Sequence, residues 1–141
     1  MDQDPFGKLT DWEQVLDTLH VFGNNGHLSK CQPGLIRILR YKANWRLREE
    51  VLKRIGSIRT PSNDLIFQVL DILDDDNVYY DVRILAGRAL IQLLKNVEDA
   101  GGGEVYARTQ KTIEKLERIP QPPLFVHALS RLSEELGMPG S

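Results

Sequence analysis

Cysteine is nearly missing from this chain of 141 residues: Cys31 is the single one, so no intrachain disulfide can form. That usage fits a reducing, cytoplasmic setting. Long apolar runs are missing too. None approaches the roughly 18 residues that a membrane span needs, and the polar, acidic start Met1-Asp2-Gln3-Asp4-Pro5 lacks the basic-then-apolar build of a signal peptide. There is no excess of positive charge. Lys and Arg total 18 against 20 Asp and Glu, a formal net charge of -2, which argues against a phosphate-binding field and hence against nucleic acid as partner. Strand signals are also scarce, because period-two alternation never persists.

What the chain has is helical spacing from end to end. Trp12, Val15, Leu16, Leu19 and Phe22 share one face of a helix near 11–22, which Gly23-Asn24-Asn25-Gly26 should stop. Leu35, Ile36 and Leu39 mark a second helix, with Pro33 in its opening turn. Leu47, Val51, Ile55 and Ile58 mark a third, ending at Thr60-Pro61. Ser62 or Asn63 should cap a fourth, carrying Ile66, Val69, Leu70 and Leu73. The acidic loop Asp74-Asp75-Asp76-Asn77 leads to a fifth near 80–95, with Val82, Ala86, Leu90 and Leu93 inward. Residues 98–103, with Gly101-Gly102-Gly103, read as a joint. A sixth helix near 104–118 (Tyr106, Thr109, Ile113, Leu116) and a seventh near 123–136 (Leu124, Phe125, Ala128, Leu129, Leu132, Leu136) follow.

These helices repeat. Leu35-Ile36-Arg37-Ile38-Leu39 aligns with Val69-Leu70-Asp71-Ile72-Leu73 at an offset of 34 residues, and every apolar position matches. Leu47-Arg48, Val51, Leu52, Ile55 and Ile58 align with Val82-Arg83, Ala86, Gly87, Leu90 and Leu93 at an offset of 35, one residue longer in the middle loop. Shifted back by 36, Val51, Leu52, Ile55 and Ile58 fall on Val15, Leu16, Leu19 and Phe22. A hairpin of two such helices cannot bury its apolar face alone, so neighbours must stack.

The pattern of a leucine-rich helix, an acidic loop, Val-Arg, a small residue and a leucine resembles the HEAT-like repeat of the short, phycobilisome-lyase type. Asp74–Asp76 through Val82-Arg83, Ala86, Ala89, Leu90 and Leu93 carries the likeness best, and Leu47-Arg48 with Val51 and Ile55 is a looser copy. The resemblance covers residues 11–97. It implies an all-α fold: an α-solenoid of about three stacked helical hairpins, a right-handed HEAT-like superhelix, preceded by an N-terminal segment 1–10 and closed by a capping hairpin 104–141, one compact domain in all. It also implies a curved stack that binds macromolecules, so the expected function is a non-catalytic scaffold or adaptor for another protein. A bilin-lyase-like subunit or other HEAT-family enzyme component is the alternative.

Contacts are expected from Trp45, Arg46, Glu50, Arg54, Tyr79, Tyr80, Arg88 and Gln92, on the inner helices or the loops leading into them. Arg48 and Arg83 occupy equivalent places and should bridge to loop acids and carbonyls of neighbouring repeats. Trp45 and Tyr80 also align, as partner anchors or as lids between repeats. Charge is polarised: residues 30–59 hold nine basic against two acidic side chains, and residues 60–81 hold six aspartates and no base. Adjacent layers should neutralise each other, and the same polarity leaves room for weak head-to-tail self-association. No metal or cofactor is expected. His27 and Cys31 are four apart without a second pair at zinc spacing, the aspartate loop lacks the glycine and glutamate of a calcium loop, and no Gly-Lys-Ser/Thr follows the glycine run.

Overall fold

The computed structural model describes residues 3–97 and 99–137, with residues 99–102 as backbone only. Residues 1, 2 and 98, and the end of the expected capping segment at 138–141, lie outside the described residues. Helices and short helical turns are the only regular elements among the described residues: α1 Trp12–Asn24, α2 Gln32–Arg40, α3 Trp45–Arg54, α4 Asn63–Asp74, α5 Tyr80–Lys95, α6 Asp99–Glu117 and α7 Pro123–Glu135. None of the described helices is long and apolar enough to cross a membrane.

Local chemistry places the ends. The Asn44 side chain accepts from the Arg46 N–H to start α3, and the Ser62 hydroxyl accepts from the Leu65 N–H at 3.1 Å to start α4. Prolines occupy the first turns of α2 and α7, where an N–H would have no partner. Gly26 and Gly137 take positive φ just past α1 and α7. The third helix, expected to carry Ile55 and Ile58 and to end at Thr60-Pro61, ends early as an α-helix: after Arg54 it tightens into a 3₁₀ turn, Ile55–Ser57. A Cβ at Gly56 would sit 3.0 Å from Cβ of Gln92, so the lack of a side chain there lets the turn lie close against α5.

The helices form two rows. Helix α1 packs on α3, α3 on α5, and α5 on α7; α2 packs on α4 and α4 on α6; each hairpin, α2–α3, α4–α5 and α6–α7, joins the rows. The core runs between them without a break, from Phe6 and Leu19 to Phe125 and Leu132. The hairpin α4–α5 is its centre, and Leu65, Ile66, Val69, Leu73, Leu90 and Leu93 are fully buried.

Four expectations are corrected. The stretch 98–103 is not a joint over the described part: α6 begins at Asp99 and takes the glycines into its first turns. Leu124 is 72% exposed, because neighbours on a helix point about 100° apart and Phe125 takes the inward place. For the same reason Val105, not Tyr106, is buried at the start of α6, and Trp12 is half out of α1's apolar face.

The segment before α1, read only as an N-terminal segment, is a packed strap. Phe6 is buried on α2, where a Cβ at Gly34 would meet its ring at 2.7 Å. The Arg37 guanidinium binds the Asp4 carboxylate and donates to the Gly7 carbonyl at 2.7 Å. That hydrogen bond holds the Asp4 carboxyl below its ordinary value, against the opposing effect of burial.

Candidate functional site

The equivalent arginines have equivalent bonds. Arg48 Nε donates to the Leu39 carbonyl at 2.8 Å, and Arg83 Nε donates to the Leu73 carbonyl at 2.9 Å. Each ties its helix to the last turn of the preceding one, where carbonyls otherwise lack partners. Arg83 is 2% exposed and its guanidinium lies 5.1 Å from the Tyr80 ring and 4.5 Å from the Phe125 ring. Arg48 is half-buried; burial lowers its pKa and the charge of Asp75 works against that shift. The arginines are therefore structural and absent from any exposed ladder, but each bonds a carbonyl of its own hairpin and not, as expected, one of a neighbouring repeat.

The eight expected contact residues do not form one patch. Trp45 and Arg46 stay at the exposed start of α3, with the Arg46 guanidinium 5.8 Å from the Trp45 ring. Tyr79 is the most exposed aromatic, at 77%. Its neighbour Tyr80 is a lid: its ring meets that of Phe125 at 5.2 Å in a tilted arrangement, and its hydroxyl donates to Gln121 at 2.9 Å. Glu50 and Arg54 face each other on α3 at 3.5 Å, an electrostatic contact without hydrogen-bond geometry. Only Arg88 and Gln92 reach a concavity.

That concavity is a groove of about 490 Å³ across α3, α5 and α7. Leu52, Ile84, Leu85 and Leu124 supply its apolar surface, while Lys53, Arg88, His127 and Arg131 stand around it. Lys53 is paired with Glu49 at 3.1 Å. Arg88 and Arg131 have no ion pair or hydrogen bond among the described residues. The contribution of α7 was not anticipated, since the C-terminal third matches the repeat only as a helical hairpin. Leu124 and Arg131, seven apart, were the available signal.

The charge poles pair differently from expectation. The acidic segment binds forward to α6, through Asp74 to Lys115 at 2.8 Å and Asp71 to Arg108 at 4.0 Å. Toward the basic segment it forms no ion pair among the described residues: Arg40 Nε donates to the uncharged Gln68 Oε1 at 2.6 Å, and Asp75 acts on Arg48 by its charge alone. Lys53 and Arg54 find their acids within their own helix.

His27 and Cys31 do not converge. His27 is exposed, whereas Cys31 is buried with its thiol donating to the Leu28 carbonyl at 3.4 Å. Burial, with the nearby Asp4 charge, pushes that thiol up to about 11, so it stays protonated and unreactive near neutrality. Comparisons with protein-family models, with curated proteins and with solved structures return no match for this chain.

Proposed function

We propose that this chain is a non-catalytic scaffold that binds another protein on the face shared by α3, α5 and α7. The observation that carries this is the groove itself: exposed Leu124 beside Arg88 and Arg131, two cations with no partner among the described residues. An apolar surface with convergent unpaired charges is what a recognition site needs, since apolar burial supplies affinity and charge supplies selection. In this reading the two rows are a short HEAT-like solenoid of about three hairpins and the groove lies on its concave side, which the repeat resemblance and the equal bonds of Arg48 and Arg83 support. The proposal places the chain in the cytoplasm.

The test is affinity capture from native lysate with the wild-type chain and with Arg54→Glu/Arg88→Glu, read by quantitative mass spectrometry. Both side chains lie at the surface or half-buried, so helicity by circular dichroism should not change. Specific proteins held by the wild type should be lost from the variant. A partner set identical for both forms would remove this face from consideration.

A further inference from the structure

The groove has a narrower chemistry than protein binding in general. Its walls are three helices and the 3₁₀ turn at Gly56, and apart from the first turn of α7 their main-chain N–H and C=O groups are bonded along their own axes. It therefore offers no row of backbone donors and acceptors to an incoming strand. An extended segment pressed onto Leu52, Ile84, Leu85 and Leu124 would lose its water and leave its own backbone groups unpaired. A helix brings its backbone already satisfied and needs only an apolar stripe. The length is suitable: along α5 the groove runs from Ile84 to Gln92, roughly 12 Å at helical rise, or about two turns.

The charge selects further. Among the described residues no carboxylate lines the groove, and its charged lining residues, Lys53, Arg88 and Arg131, are all cationic. Of these, Arg88 and Arg131 lack any partner among the described residues, although the chain as a whole carries a formal net charge of -2. A basic occupant would face two arginines with nothing to screen them, whereas an acidic one would complete them.

We infer that the groove takes an acidic amphipathic helix of a partner protein. Leucine-type side chains, spaced three and four apart, lie on the apolar floor, and flanking carboxylates meet Arg88 and Arg131. This rests on the scaffold reading and assigns its site a class of ligand.

The probe is a labelled synthetic helical peptide of about four turns with a leucine stripe and glutamate flanks, titrated against the full chain by fluorescence anisotropy. Three controls accompany it: the same peptide with lysine flanks, the acidic composition with its leucines scrambled, and vesicles containing anionic lipid. The acidic stripe peptide should bind at least about tenfold more tightly than either peptide control and weaken as salt rises. The exposed pair Arg88→Glu/Arg131→Glu, checked for folding by circular dichroism, should reverse the preference towards the lysine peptide. No binding of the acidic peptide, equal binding of the lysine or scrambled peptide, or binding indifferent to the two substitutions overturns the inference. So does retention on anionic vesicles without a peptide preference, which would make the ligand a lipid surface. Association of the chain with itself that excludes the peptide also overturns it, making the occupant a second copy. Lysate partners lost on Arg54→Glu/Arg88→Glu, with no peptide binding, keep the scaffold and discard the helix.

Discussion

The hairpins α2–α3 and α4–α5 are built from nearly the same pattern, yet they use it differently. Both carry the arginine-to-carbonyl bond. In the second hairpin the arginine lies against both Tyr80 and Phe125, two rings that also touch each other, because α7 brings the second ring to it. In the first no ring covers Arg48 among the described contacts, and the aligned aromatic, Trp45, remains half exposed at 49%. The outer helices differ likewise. At the place where α4 has buried Gln68, gripped by Arg40, α2 has Gly34 and admits Phe6 of the N-terminal strap. A shared repeat position thus specifies where a side chain points, and the neighbouring layer decides what it does.

The strongest way to break this comparison is to remove the arginines. Arg83→Ala should cost roughly 3–4 kcal/mol, a charged hydrogen bond plus two ring contacts, and Arg48→Ala only about 1–2 kcal/mol. Urea unfolding midpoints would measure both. Arg83→Lys should recover little, since an ammonium lacks the planar fork that reaches the Leu73 carbonyl and the two rings at once. Equal losses at the two sites would mean that the ring contacts contribute nothing.

Gly34→Ala comes next. Its Cβ would fall 2.7 Å from the Phe6 ring and 2.9 Å from the Asp4 carboxylate, so the strap must lift or α2 must shift, at about 1–3 kcal/mol. Limited proteolysis should then cut within residues 3–10, and an unchanged digestion pattern would contradict the packed strap.

A smaller effect belongs to Asp4. Its folded pKa lies below the ordinary 3.8, chiefly through Arg37. The stabilisation is therefore complete above that ordinary value and fades as pH falls through the lower folded one. The pair is partly exposed, so Asp4→Asn should lower stability near neutral pH by no more than about 1 kcal/mol. The gap between variant and wild type should close in strong acid. A gap that widened there would reverse the sign.

The smallest expected change is a gain. At Gly87, within α5, an added Cβ would make only ordinary contacts, 3.7 Å from Leu73 and 3.8 Å from Ala128. Gly87→Ala should raise stability by about 0.5–1 kcal/mol through helix propensity. Loss in thermal melting would show that α7 approaches more tightly than the contact distances indicate.

Much of this organisation is readable in the residues. The bounds 80–95, the Ser62 cap and Pro33 in a first turn follow from local rules whose distances in sequence are short, and the arginine equivalence follows from the repeat. Misreadings occur where tertiary contact overrides local preference. Glycines 101–103 are poor helix formers, yet they lie within α6. Leu124 and Phe125 are both apolar, and periodicity alone did not choose between them. Phe6 sits in a polar stretch, and its socket is the absence of a side chain 28 residues later. In the groove, Arg88 and Gln92 are legible from their spacing on α5, opposite Ala86 and Leu90. The α7 wall is not, because only packing sets its distance from α3 and α5.

The two arginine bonds also close loops of different size, spanning nine residues in one hairpin and ten in the other. Identical clasps across unequal connectors mean that the connector is slack and the clasp sets the hairpin's geometry. The turn around Asp75–Val78 can then accept added residues, a tag or a reporter without disturbing either helix. Change between generations can accumulate there while the framework keeps its shape.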